Sequence, residues 1–220
     1  MQILSPLNSA FMDRALSLAS LGTRRAMPNP CVGAVVEHAN SIIGEGYHEN
    51  FGAPHAEVNA INSVRDPRLL QHSTLYVTLE PCSHVGKTPP CVDLILRSGI
   101  SRVVVGCRDP FPAVAGTGVQ RLRDAGIEVI EDVGHDECVL INRRFLLAHA
   151  LRRPYIILKW AQTADGFIAP ENRVRTTISS QESHALAHLW RGQEMSVAVG
   201  TTTAHTDDPQ LTVRYTDLFA

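Results

Sequence analysis

Thr74-Leu75-Tyr76-Val77-Thr78-Leu79-Glu80-Pro81-Cys82, continued after a loop by Pro89-Pro90-Cys91-Val92-Asp93-Leu94-Ile95-Leu96-Arg97-Ser98-Gly99, is the stretch whose reading decides the fold. Its first six residues are aliphatic, aromatic or β-branched and read as a strand. The paired prolines introduce an apolar-rich run that begins at Cys91 and is stopped by Gly99, which reads as a short helix. Cys82 then projects from the end of a sheet, and Cys91 opens a helix. At a helix N-terminus the macrodipole and the free amide protons favour a thiolate.

Working outward, the same alternation continues. Phe11, Ala15, Leu18 and Ala19 recur at helical spacing, and Cys31 to Val36 and Ser41 to Tyr47 are strand-like runs separated by a polar turn. Towards the C-terminus, Arg102 to Gly106 and Ile127 to Ile130 read as further strands bracketing a helix near Gly118 to Asp124. Short apolar strands alternating with helices predict an α/β chain, a three-layer α/β/α sandwich with parallel strand pairs.

His55-Ala56-Glu57 supplies the third donor for the two cysteines and a carboxylate that need not ligate. Zinc favours tetrahedral sites with imidazole and thiolate donors, and a catalytic site keeps only three protein ligands so that water takes the fourth position. Two residues of α-helix turn through about 200°, so His55 and Glu57 can serve one site only near a helix end. Pro54, just before His55, makes a helix start there plausible. One histidine, two thiolates and a metal-free carboxylate form the set with which zinc deaminases exchange an exocyclic amine for oxygen. The plain alternative is two buried thiols and a hydrogen-bonded core histidine, since free cysteine is among the most buried residue types. A structural zinc site would recruit a fourth protein ligand, for which His84 is the nearby candidate, and it would have little need of Glu57.

The cysteines are separated by eight residues, Ser83 to Pro90, where the common nucleobase deaminases have two. That longer loop, with Pro28-Asn29-Pro30-Cys31-Val32-Gly33-Ala34-Val35-Val36, Gly46-Tyr47-His48, Asp109-Pro110 and Val114 to Gly118, closely resembles the deaminase half of the bifunctional riboflavin-biosynthesis deaminase/reductase family. The resemblance covers residues 1–145. It implies a cytidine-deaminase-like fold and deamination of diaminohydroxyphosphoribosylaminopyrimidine to the aminouracil ribotide. Residue by residue it implies zinc on His55, Cys82 and Cys91, proton transfer by Glu57, and substrate contacts by Asn29, His48 and Lys87. Lys87, a cation beside a loop glycine, suits a phosphate. Phe111 departs from the family's usual asparagine and cannot supply its amide hydrogen bonds. Deamination of another small nucleobase-like substrate, or of tRNA adenosine, is the competing reading. A tRNA enzyme should show a basic strand-binding surface and closely spaced cysteines, and this chain shows neither.

Helical spacing at Leu140, Ile141, Phe145, Leu146 and Leu151 ends at Arg152-Arg153-Pro154, and the linker is placed at 146–153. From Pro154 a strand is expected to run towards a turn at Asp165-Gly166. This opening, with Gly200 to Thr203 and Asp207 to Arg214, is similar to the start of the family's dihydrofolate-reductase-like α/β domain, which uses NADPH. The resemblance implies cofactor contacts at Ala161, Thr203 and Asp207 and reductase-substrate contacts at Arg191, Leu211 and Arg214. Thr177 stands where the family usually has tryptophan, and Arg175 where a small polar contact is usual. Residues 154–220 offer three strands and a helix, too little for an independent core of ordinary domain size, so a partial reductase-like domain is expected, with NADPH as cofactor only if that domain is complete.

A formal net charge of −2 and a pI near 6.5 provide no excess of positive charge for a nucleic-acid groove. Residues 1–21 lack a basic leader and a continuous apolar core, so neither a signal peptide nor a membrane span is expected. Five cysteines, an odd number with zinc-type spacing, fit a reducing compartment. A cytoplasmic enzyme acting on a small pyrimidine ribotide is expected, a homo-oligomer without nucleic-acid or membrane partners.

Overall fold

Apolar runs that alternate with helices need a sheet to pack on, and in this chain they find one of five strands in the order β2-β1-β3-β4-β5. The computed structural model describes residues 9–84, 89–110, 115–171 and 176–214. The chain divides into two units, Met1–Tyr155 and Ile156–Ala220.

In the first unit, α1 (Ser9–Leu21) precedes the hairpin of β1 (Gly33–His38) and β2 (Ser41–Tyr47). Ala39 and Asn40 close the hairpin with φ of 50° and 61°, the left-handed pair that a two-residue turn demands. Next come α2 (Ala56–Asn62), β3 (Thr74–Leu79), α3 (Cys91–Ser98), β4 (Arg102–Cys107), α4 (Thr117–Asp124), β5 (Glu128–Ile130) and α5 (His135–Leu151). β1 runs antiparallel to β2 and β3, while β3, β4 and β5 are mutually parallel with Tyr76 opposite Val104. β3 and β4 are buried along their whole length, as parallel strands covered on both faces must be.

The two faces carry different helices. A Cβ on Gly33 would collide with the α1 backbone at Ala15, whereas one on Gly46, on the opposite face, would collide with α2 at Ala60. α5 packs beside α1, and α2, α3 and α4 form a row on the other face. The three-layer α/β/α sandwich read from the sequence is therefore the observed architecture. Its core includes Met12, Leu75, Tyr76, Ile95, Ile100 and Leu122, each at most 2% exposed. At about 1.5–3 kcal/mol per large apolar side chain, this burial is the main favourable contribution to the fold.

Two expectations are corrected. β1 starts at Gly33, not at Cys31, because the Cys31 N–H and C=O are both taken by the Asn142 side chain of α5 and are unavailable to a neighbouring strand. In the second unit, the described residues hold α6 (Gln181–Gln193) and α7 (Thr201–Asp207) and no strand, where three strands and a helix were expected. The segment from Tyr155 to Gln162 carries no ladder, since a strand exists only by pairing and no described segment pairs with it. α5 continues to Leu151, so residues 146–151 are helical. Among the described residues no helix is long and apolar enough to cross a membrane.

Candidate metal centre and cavity

Three element ends converge beyond the C-terminal ends of β3 and β4. His55 is the N-cap of α2, with extended backbone at φ −73° and ψ 163°. Cys82 follows β3 by three residues, and Cys91 is the first residue of α3, whose far end is closed by Gly99 in the left-handed conformation at φ 72°. The donor atoms lie within 4.8 Å of one another, with His55 Nδ1 3.5 Å from Cys82 Sγ and 3.3 Å from Cys91 Sγ. Bond lengths of about 2.0–2.1 Å to nitrogen and about 2.3 Å to sulfur at the tetrahedral angle would set N and S about 3.6 Å apart, so the donor set fits zinc. His84 is not in this cluster.

Hydrogen bonding from Cys91 holds the Cys82 thiol well below its usual pKa, and the same contact pushes Cys91 up. The Cys82 sulfur also raises His55. Glu57, in the first turn of α2, is 3% exposed, and burial pushes its carboxyl above the usual range. The helix start between His55 and Glu57 lets both face one place.

His55, Glu57 and Cys82 line a cavity of about 340 Å³. Asn29 and His48 stand on its wall, with Asn29 Nδ2 3.1 Å from His48 Nε2 and His48 Nδ1 donating to Pro54 O at 3.0 Å. A carbonyl only accepts, so in the neutral ring Nδ1 carries the proton and Nε2 accepts from Asn29. Burial lowers the His48 pKa and keeps that ring neutral. The structure thus brings together His55, Cys82, Cys91, Glu57, Asn29 and His48. Lys87 and Phe111 lie outside the described residues, as does Arg175.

The remaining named residues belong to the second unit. Arg191 of α6 donates to Thr212 O at 2.9 Å, and the Arg214 amide donates to His188 Nδ1 at 3.2 Å, so α6 holds the segment carrying Leu211 and Arg214. Leu211 has a φ of 55°. Thr203 and Asp207 are exposed on α7, and Ala161 is half-buried in the extended segment.

Sequence reasoning missed several residues here. Phe145 and His149 of α5 complete the cavity wall. Glu80, 3% exposed, accepts the amides of Gly116, Gly118 and Val119 at 3.0, 3.0 and 3.2 Å, and more distantly that of Asp109 at 3.4 Å. A carboxylate directly before Pro81-Cys82 was visible, but its partners 29 to 39 residues away were not.

Residues 6–107 match the cytidine and deoxycytidylate deaminase zinc-binding region, and residues 154–220 match the RibD C-terminal domain. The riboflavin biosynthesis protein RibD of Aquifex aeolicus is 49% identical over 205 residues, 93% of this chain and 57% of that protein. The Escherichia coli RibD is 41% identical over 94% of this chain and 56% of its own length. Among solved structures, Acinetobacter baumannii RibD is 40% identical with a TM-score of 0.88, over 94% of this chain and 57% of that one. A Thermotoga maritima diaminohydroxyphosphoribosylaminopyrimidine deaminase/5-amino-6-(5-phosphoribosylamino)uracil reductase is 46% identical with a TM-score of 0.88, over 94% and 59%. The chain spans little more than half the length of the curated relatives it matches. Matched along nearly all of its own length, and carrying a His-Cys-Cys cluster beside a buried glutamate, this chain belongs to the RibD family of riboflavin-biosynthesis proteins.

Proposed function

We propose that residues 1–145 form a zinc-dependent aminohydrolase that converts diaminohydroxyphosphoribosylaminopyrimidine to the aminouracil ribotide in riboflavin biosynthesis. The observation that carries the reading is the cluster of His55, Cys82 and Cys91, which meets a cavity through His55 and Cys82 beside the buried Glu57. Zinc held by those three residues supplies Lewis-acid activation of a water for attack on the ring carbon that bears the amine.

Glu57 accepts the proton released by the attacking water and passes it to the departing nitrogen, so that ammonia leaves. Its raised pKa suits a group that must both take and return a proton near neutral pH. Asn29, oriented by His48, presents its amide to the ring. The apolar side chains of Val32, Leu79 and Phe145 exclude bulk water from the reacting edge. Lys87 pairs with the ribotide phosphate.

Residues 146–153 join this region to a reductase-like region, 154–220. In a chain of the relatives' full length, Ala161, Thr203 and Asp207 would contact NADPH, and Arg191, Leu211 and Arg214 the ribotide. A cytoplasmic homo-oligomer without nucleic-acid or membrane partners belongs to the same proposal. A net charge of −2 supports the exclusion of nucleic acid.

Mass spectrometry of the reaction with the diaminopyrimidine ribotide, with and without NADPH, tests the reading. Amine-to-oxygen exchange is expected without NADPH, and Glu57→Gln should slow it by at least about 10² while zinc stays bound. Zinc-loaded protein that leaves the ribotide unchanged would refute deamination. A further gain of two hydrogens with NADPH would assign the reductase step to this chain as well.

A further inference from the structure

The eight residues between Cys82 and Cys91 leave a question about what keeps the two thiolates in place. Two direct contacts join the described parts of the two arms. Val92 N donates to Cys82 O at 3.2 Å, and Cys91 N to Cys82 Sγ at 3.3 Å. The other tie comes from outside the loop. Arg121, on the second turn of α4, donates through Nη1 to Ser83 O at 3.0 Å and through Nη2 to Asp93 Oδ1 at 2.7 Å. One guanidinium thus grips the residue after Cys82 and the residue two after Cys91. Its planar fork fixes both donors in one rigid unit.

α4 is itself fastened to the strand end that leads to Cys82. The Glu80 carboxylate takes the Gly118 and Val119 amides on Oε1 and the Gly116 amide on Oε2. Ser83 Oγ and Thr117 Oγ1 are 2.6 Å apart. A Cβ on Gly118 would lie 2.1 Å from Pro81 O, so only glycine lets the helix approach this closely.

We propose that α4 is the brace of the metal centre: Arg121 ties the two cysteine arms together, and Glu80 anchors the helix to the arm that carries Cys82. Both are positioning residues, and the inference rests on His55, Cys82 and Cys91 being the zinc ligands. Groups behind metal ligands alter affinity by about 10–100-fold when removed, and the half-exposed Arg121–Asp93 pair belongs at the lower end, about 10-fold.

Zinc affinity of the whole chain, measured by competition with a chelating dye without substrate, tests the brace. Arg121→Ala should weaken zinc about 10-fold, and Arg121→Lys, which reaches one partner at a time, by less. Arg123→Ala is the control, because Arg123 lies on the same helix but bonds Glu131 and Val129 O instead. It should leave zinc affinity unchanged. Glu80→Gln should also weaken zinc, since either amide orientation sets an NH2 group against backbone N–H donors. If Glu80→Gln does not fold, the Arg121 and Arg123 variants still decide. Wild-type affinity in Arg121→Ala, or an equal loss in Arg123→Ala, overturns the brace and leaves the metal site standing. A parent chain that binds no zinc sinks both.

Discussion

Asn142 carries the sharpest test of how the cavity wall is held. It is 2% exposed, and it accepts from Cys31 N at 2.8 Å and donates to Cys31 O at 2.9 Å. The clasp spans 111 residues of sequence, from α5 to the segment that carries Asn29 and Pro30 to the cavity. Asn142→Leu keeps the branched shape and the number of heavy atoms and removes both partners. It leaves a buried N–H and a buried C=O unsatisfied, each costing about 1–3 kcal/mol, for a loss of about 2–6 kcal/mol. In a unit of this size about 1 kcal/mol moves the melting midpoint by about 2–4 °C, so a loss near the middle of the range, about 4 kcal/mol, lowers it by about 8–16 °C. Far-UV circular dichroism through a urea titration reports the loss. Asn142→Asp keeps the acceptor for Cys31 N but turns a second oxygen on Cys31 O. Its deficit should shrink in acid, where the carboxyl is protonated and can donate. In deamination, both variants should raise KM more than they lower kcat, because Asn29 loses its support. An unchanged urea midpoint and slope for Asn142→Leu would refute the clasp.

The buried thiols and the α4 contact give two further expectations. Burial pushes Cys107 and Cys138 up to about 12, so the native chain should resist maleimide at pH 8 at both positions, and rapid labelling would contradict their burial. Because their folded pKa values lie above the ordinary 9.0, the stability tied to their protonated form is complete below pH 9 and is lost between pH 9 and 12, at up to about 1.4 kcal/mol per pH unit for each thiol. Gly118→Ala drives a methyl group into Pro81 O and should destabilise the first unit by about 1–3 kcal/mol, measured by the same urea titration, and weaken zinc with it. Wild-type stability and zinc affinity in that variant would show that α4 yields at no cost.

The cluster of His55, Cys82 and Cys91 was legible because its members sit at element ends, and element ends leave marks in sequence. Pro54, Pro81 and Pro90 each precede a member of the cluster, and Gly99 stops the helix that Cys91 begins. Proline fixes φ and lacks an N–H, so it is tolerated where an element starts and excluded from its middle. The layered fold was legible for a related reason. β3 and β4 are buried on both faces and therefore read as unbroken apolar runs. The supports behind the ligands left no such mark. Glu80, Arg121 and Asn142 act through backbone groups 29 to 111 residues away, and a backbone group has no identity in the sequence. The start of β1 failed on the same ground: Cys31 belongs to a good strand sequence, but a distant side chain had already taken its hydrogen bonds.

The second unit shows the converse, a pattern that was read rightly as propensity and wrongly as structure. Ile156, Leu158 and Trp160 alternate at the period of a strand and are 62%, 77% and 65% exposed. Alternation states which side chains share a face, but a strand also needs a neighbour that accepts its N–H groups and offers carbonyls in return. The first unit supplies that neighbour to every strand it holds, from β2 at one edge to β5 at the other. Among the described residues, the second unit supplies it to none. What forms there instead is the structure that needs no partner: helices bonded within themselves, α6 capped by the Ser180 hydroxyl accepting from Ser183 N. Local hydrogen bonding is thus enough for α6 to seat the segment that carries Leu211 and Arg214, while the apolar stripe beginning at Ile156 remains a strand in sequence only.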